Sequence, residues 1–226
     1  IMKKFFLMCL CALMLPMAAE AKKEKKPKKV KVSEFSELKL YAQGGRNSNK
    51  RGSALSLTQG MVFSLEAADP RDIDVMLFHG KAYGNKQKVF VLFAPENPEI
   101  NIDWEKDGGT SPYCKFEGKS DDPDAWYALK NWKHRSTTKL EKLPFAQVDF
   151  KNITGQQIKD MPIDNGYYVQ NVVPGDVILF ELCEKSYKPG AKGLIQVVRI
   201  EDDETKPEKA GYGPNQRLVL NVKLVK

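Results

Sequence analysis

Gly52-Ser53-Ala54-Leu55-Ser56-Leu57-Thr58-Gln59-Gly60-Met61-Val62-Phe63-Ser64-Leu65, followed shortly by Ile73-Asp74-Val75-Met76-Leu77-Phe78, decides the fold. Two runs, Ser53 to Leu57 and Met61 to Leu65, flank Thr58-Gln59-Gly60 and predict a β-hairpin with a glycine-bearing turn. Ile73 to Phe78 and Val89 to Phe93 are apolar on both faces and predict central strands. On the N-terminal side, Leu38, Leu40 and Ala42 alternate with Glu37, Lys39 and Tyr41, the period of a half-buried strand. On the C-terminal side, Val177 to Cys183, Leu194 to Ile200 and Leu218 to Val225 continue the series. Lys188-Pro189-Gly190 and Gly211-Tyr212-Gly213-Pro214 supply turns between them. The acidic run Glu201-Asp202-Asp203-Glu204 reads as a solvated loop.

Two short helices interrupt the strands. Asp122-Pro123 offers an N-cap and a proline at the first helical position. Thr154-Gly155-Gln156-Gln157 matches a capping box, and Pro162 ends that helix. Many short strands, abundant turn residues and no regular strand–helix alternation predict a mainly β fold: an antiparallel β-sandwich or open barrel with two short helices.

The chain has 226 residues and a formal net charge of +7, but the charge is not spread over the fold. Lys3 and Lys4, an apolar run from Phe5 to Leu15 and Ala19-Glu20-Ala21 predict a secretory signal peptide over residues 1–21. Residues 22–32 follow as a lysine-rich, disordered tail, with seven lysines against one glutamate. The remaining body, 33–226, balances its charges and is expected to form one domain, or two small subdomains. A neutral body argues against nucleic-acid binding, whereas the tail could contact anionic envelope surfaces. Val89 to Ala94 is the longest apolar stretch past the signal, too short for a transmembrane segment. Cys9 and Cys11 follow Met8 and Leu10 rather than a small residue, which argues against lipid attachment. An exported protein, periplasmic or on the cell surface, is therefore expected.

Two cysteines lie in the body, Cys114 and Cys183. In an oxidising compartment they form either a disulfide or two separate buried thiols. No G-x-S-x-G elbow, H-E-x-x-H helix or glycine-rich phosphate loop is present, and His79 and His134 are the only histidines. A Cys114–His nucleophile pair has no local support, so no catalytic residues are assigned.

Asp103-Trp104-Glu105-Lys106-Asp107-Gly108 places carboxylates at alternate positions before a glycine, like the opening of a calcium loop. Cys114 occupies the twelfth position, where a bidentate glutamate belongs. The expectation is thus an acidic surface turn, with calcium held by Asp103, Glu105 and Asp107 as the alternative. Trp104, Trp126, Tyr127 and Trp132 form either core or an aromatic platform for a glycan or an envelope protein. Asp121, Asp122 and Asp124 beside them could serve as paired carboxylates of a polysaccharide hydrolase, or as helix-capping charges.

The stretch from Gly52 to Ala68, with Asp72-Ile73-Asp74-Val75-Met76-Leu77-Phe78-His79-Gly80, resembles a pattern in exported Bacteroidota domains of uncharacterised function. That pattern has a short strand, a G-x-V-[YF]-[ST]-L-x-x-A hairpin and an I-D-[LV] core strand ending in glycine. Trp132-Lys133-His134-Arg135-Ser136-Thr137-Thr138-Lys139-Leu140 is similar to its W-x-x-R-N-x-T-x-F segment, departing at Ser136 and Leu140. Val173 to Phe180 and Gly193 to Val198 resemble its closing strands. The resemblance implies an all-β, envelope-associated or extracellular domain and supplies no catalytic residues. The expected function is non-enzymatic binding of a glycan or envelope protein. A polysaccharide hydrolase, or a structural subunit pairing through a sheet edge, is the alternative.

Overall fold

The computed structural model describes residues 30–42, 52–64, 67–81, 88–96, 134–144, 148–164, 166–202 and 216–225. The segments read as signal peptide and most of the lysine tail, and the helix at Asp122-Pro123, lie outside them. Ten strands build two antiparallel sheets among the described residues. In the first sheet, β1 (Val32–Tyr41), β10 (Gln216–Val225), β9 (Lys192–Asp202), β8 (Val177–Glu181) and β6 (Lys139–Lys142) lie side by side. In the second, the order is β3 (Met61–Ser64), β2 (Gly52–Ser56), β4 (Val75–Lys81), β5 (Lys88–Phe93) and β7 (Tyr168–Gln170). The mainly β sandwich expected from the sequence is thus present.

Side-chain alternation generates the core. In β10, Leu218, Leu220, Val222 and Leu224 point between the sheets, where they meet Leu40, Ile178, Phe180, Ile195 and Val197 of their own sheet. Leu55, Leu57, Val75, Leu77, Phe90, Leu92 and Val169 close the core from the second sheet. The residues between them turn the other way. Ala54, Met76, Val91 and Phe93 are also buried, which explains why the second sheet's central strands are apolar on both faces. At one margin β1 lies against β2 and β3. At the other, Leu140 N–H of β6 donates to Gly166 C=O, just before β7, at 2.7 Å.

A third layer covers part of the first sheet's outer face. Helix α1 (Gly155–Asp160) and its flanks place Ile158, Val148, Phe150, Ile153 and Met161 over Leu179, Leu194 and Val225. Val30 joins this cluster and Val32 opens β1. The capping box forms as expected. Gln157 N–H donates to Thr154 Oγ1 at 3.3 Å, and Thr154 N–H donates to Gln157 Oε1 at 2.9 Å. Because six residues cannot sustain a helix unaided, the cap and Ile158 carry it. Thr154→Ala should lower stability by about 1 kcal/mol in urea unfolding, while Thr154→Ser should stay within a few tenths. Equal midpoints for all three proteins would show that the cap contributes nothing.

The acidic run is a correction. Glu201 and Asp202 belong to β9 rather than to a loop. Glu201 Oε1 accepts from Arg199 Nη2 at 2.6 Å and Oε2 from Arg217 Nε at 2.8 Å, with Lys39 Nζ at 3.5 Å. Arg199 also forks onto Glu37, with Nη2–Oε2 at 2.6 Å, and Arg217 donates to the Tyr41 hydroxyl. The two guanidinium groups hold Glu201 down at about 2. This ion-pair brace ties β1, β9 and β10 together, and it needs partners that no local reading supplies. Three further elements were not foreseen: the edge strands β6 and β7, and a 3-10 turn at Pro70–Asp72.

Candidate functional site

Antiparallel pairing of Leu55 with Val75, Met76 with Phe93, and Glu181 with both Lys139 and Lys192 brings five connections to one end of the sandwich. These are the β2–β3 turn, the segment 69–74 entering β4, residues 94–96 after β5, residues 134–138 before β6, and the β8–β9 loop from Leu182 to Ala191. The last closes on itself. Gly190 N–H donates to Leu182 C=O at 2.9 Å, Ser186 N–H to Cys183 C=O at 3.1 Å, and Leu182 N–H to Ala191 C=O at 2.9 Å. Gly190 takes a φ of 70° that side-chain-bearing residues disfavour.

Asp74 joins these connections from beneath. Its side chain is 1% exposed. Oδ2 accepts the Leu57 N–H at 2.8 Å and Oδ1 accepts the Ser186 hydroxyl at 3.2 Å, so one carboxyl links the hairpin turn, β4 and the β8–β9 loop. Burial pushes this acid up to about 7, against the opposing pull of the Leu57, Ser186 and Thr58 hydrogen bonds. The negative field of neighbouring Asp72 adds to the rise. A second link joins the sheets where Lys185 Nζ meets Glu96 Oε2 at 2.9 Å and Glu96 N–H donates to Ser136 C=O at 2.9 Å.

Above Asp74 the surface is polar and aromatic. Tyr187, next to Ser186, is 60% exposed. Arg71 forks onto Asp69, with Nη2–Oδ2 at 2.6 Å and Nε–Oδ1 at 3.1 Å. The Arg71 hydrogen bonds hold Asp69 down at about 2, with a smaller contribution from His134. An exposed ring and a planar guanidinium–carboxylate pair at the same end of the sandwich offer stacking together with directional donors and acceptors.

Of the residues singled out in the sequence, Trp104, Trp126, Tyr127, Trp132, Asp103, Glu105, Asp107, Cys114 and Asp121 to Asp124 lie outside the described residues. Cys183 is a half-buried free thiol with Ser136 Oγ at 3.5 Å. Ser136 Oγ in turn meets Thr138 Oγ1 at 2.7 Å. His79 lies in β4 opposite Phe90, and His134 is exposed beside the loop end. Among the described residues no three His, Cys, Asp or Glu side chains converge to hold a metal, and no helix is long and apolar enough to cross a membrane. Sequence reasoning missed Asp74, Ser186, Tyr187 and the Asp69–Arg71 pair. A signal for the first was present, since an aspartate between Ile73 and Val75 at a strand entry must be buried with its hydrogen bonds made.

No protein-family model matches the chain, and neither does any curated protein. Among solved structures, the chain is similar to the crystal structure of a DUF4466 family protein from Parabacteroides merdae. The identity is 14% and the TM-score 0.46, covering 86% of this chain. The chain spans about half of that protein, 54% of its length.

Proposed function

We propose that the protein is an exported, non-enzymatic binding domain of the periplasm or cell surface, and that it takes a glycan at the loop end of the sandwich. The observation that carries this reading is Tyr187, whose exposed ring stands at the same end of the sandwich as the Asp69–Arg71 pair, on a loop pinned to the opposite sheet. Rigid sheets that present ordered loops are a common way to hold a binding surface. Apart from buried Asp74, the formal charges along these connections balance, Arg71, Arg135, Lys185 and Lys188 against Asp69, Asp72, Glu96 and Glu184, and two pairs are closed, Arg71 with Asp69 and Lys185 with Glu96. The surface therefore offers hydrogen bonds and an apolar ring more than net charge, which suits a neutral sugar face better than an ionic partner. The export part of the proposal rests on the apolar run and the Ala19-Glu20-Ala21 site.

Titration with envelope polysaccharide fractions tests the site. Ring stacking is worth about 1 kcal/mol, so Tyr187→Ala should weaken binding about fivefold or more while leaving the melting temperature unchanged. An unchanged affinity would remove the loop end as the site and leave Trp104, Trp126, Tyr127 and Trp132 as the platform to test. Binding to an envelope protein, with none to polysaccharide, would replace the glycan.

A further inference from the structure

We propose that the outer face of the second sheet is the seat of residues 97–133, and that the three tryptophans of this segment pack there as core rather than standing open as a glycan platform. The inference is independent of the loop-end binding site. It starts from strand register. Met76 pairs with both Ala54 and Phe93, and Phe93 with Tyr168, so one row of side chains crosses four strands on the face turned away from the first sheet. Val91 pairs with Gln170 in the next row of the same face.

This face is shut off from water. Ala54, Met76 and Phe93 are 0% exposed and Val91 1%. Yet among the described residues neither the core between the sheets nor the layer around α1 includes any of the four. The α1 layer lies on the other sheet, over Leu179, Leu194 and Val225. Gln170 adds a chemical requirement, because its Oε1 is buried and accepts no hydrogen bond among the described residues. The occupant of this face therefore brings apolar bulk and a hydrogen-bond donor. An indole has both, a large apolar body with a single N–H.

Connectivity and composition select the occupant. The chain leaves the described fold after Glu96, three residues beyond Phe93, and re-enters at His134. Glu96 N–H donates to Ser136 C=O at 2.9 Å, so both ends of 97–133 are fixed together within a few residues of the face. About three extended residues cover the roughly 10 Å from β5 across β4 to β2, which puts the whole face within reach. The segment carries Trp104, Trp126 and Trp132, all the tryptophans of the chain, with Tyr113, Phe116 and Tyr127. The other stretches of the body outside the described residues lack that bulk. Residues 43–51 hold no large apolar side chain, 65–66 offer one leucine, and 82–87 and 203–215 hold one tyrosine each. Phe145 falls in sequence between Leu143 and Val148, which pack on the first sheet.

Tryptophan signals report on this segment alone, so the full chain can be tested directly. Nuclear Overhauser spectra should connect at least one indole ring to the Met76 ε-methyl or the Val91 methyls. Acrylamide should quench the native indoles at least about threefold less than those of the urea-unfolded chain, in keeping with the usual burial of tryptophan. Met76→Ala opens space on this face and should raise native quenching about twofold, while Leu220→Ala opens space between the sheets and should leave it at the parent value. Indoles quenched as freely as in urea, or Overhauser contacts to Leu179 and Leu194 instead, would overturn the inference. An unchanged value in Met76→Ala, or an equal rise in both variants, would do so as well. If Met76→Ala fails to fold, the Overhauser contacts of the unaltered protein decide.

Discussion

Gly193→Ala is expected to cost at least ~3 kcal/mol in urea unfolding, and Gly193→Val to prevent folding. Gly193 sits in β9 between Phe180 of β8 and Leu224 of β10. A Cβ there would lie 2.2 Å from the Lys223 carbonyl oxygen and 2.3 Å from Phe180 Cζ, closer than packed atoms approach. The ring of Phe180 fills the space that a side chain at 193 would need. Ring and carbonyl differ in how they can yield. Phe180 could rotate only by leaving the core, while the carbonyl belongs to the ladder joining β9 and β10. Adding Phe180→Leu to Gly193→Ala should therefore restore little, because the backbone obstacle remains. A Gly193→Ala protein within 0.5 kcal/mol of the parent would show that the three central strands are looser than their register implies.

The stability difference between the parent and Asp74→Asn should vary strongly with pH. The folded-state acid sits at about 7, against about 4 for an unfolded aspartate. Below pH 4 both states hold the proton and burial carries no charge penalty. Between pH 4 and 7 the native state keeps a proton that the unfolded chain releases, so stability falls as pH rises and levels off above 7. The span corresponds to a loss on the order of 4 kcal/mol. Asp74→Asn cannot ionise, so at pH 8 it should equal or exceed the parent, with the advantage gone by pH 4. Asp69 and Glu201, both held at about 2, act in the opposite sense, with support that fades in acid. Subtracting the two proteins' profiles cancels those groups and isolates Asp74. A pH-independent difference would mean that the carboxyl is solvated in the native state.

Sheet order was not legible in the sequence, but most strands were. β2 and β3 announced themselves through local turn chemistry at Thr58-Gln59-Gly60, and β10 through the strict alternation of Leu218, Leu220, Val222 and Leu224. The Thr154 capping box was readable because its partners are three residues apart. β6 escaped because Leu140 is its one buried side chain, in a Lys-Leu-Glu-Lys edge strand. β7 is a three-residue edge strand, too short for a period to show. Glu201 looked like loop because its charge is quenched by Arg217, a partner on the next strand. Likewise, nothing near Asp74 points to Ser186, 112 residues later. Local patterns disclosed elements, whereas groups that meet only after folding did not disclose the site.

The register of β1 carries a consequence for the order of events in time. Val32 pairs with Val225, and Glu37 N–H donates to Asn221 Oδ1, 184 residues away. Among the described residues β1 has no strand partner until β10 exists, so a loop of nearly the whole described fold must close late in assembly. A nascent chain lacking residues 216–225 holds β1 and β9 without the strand that separates them. Until that strand is in place the first sheet is split into a lone β1 and the β9-β8-β6 ladder, so this sheet cannot be completed before residues 216–225 are made.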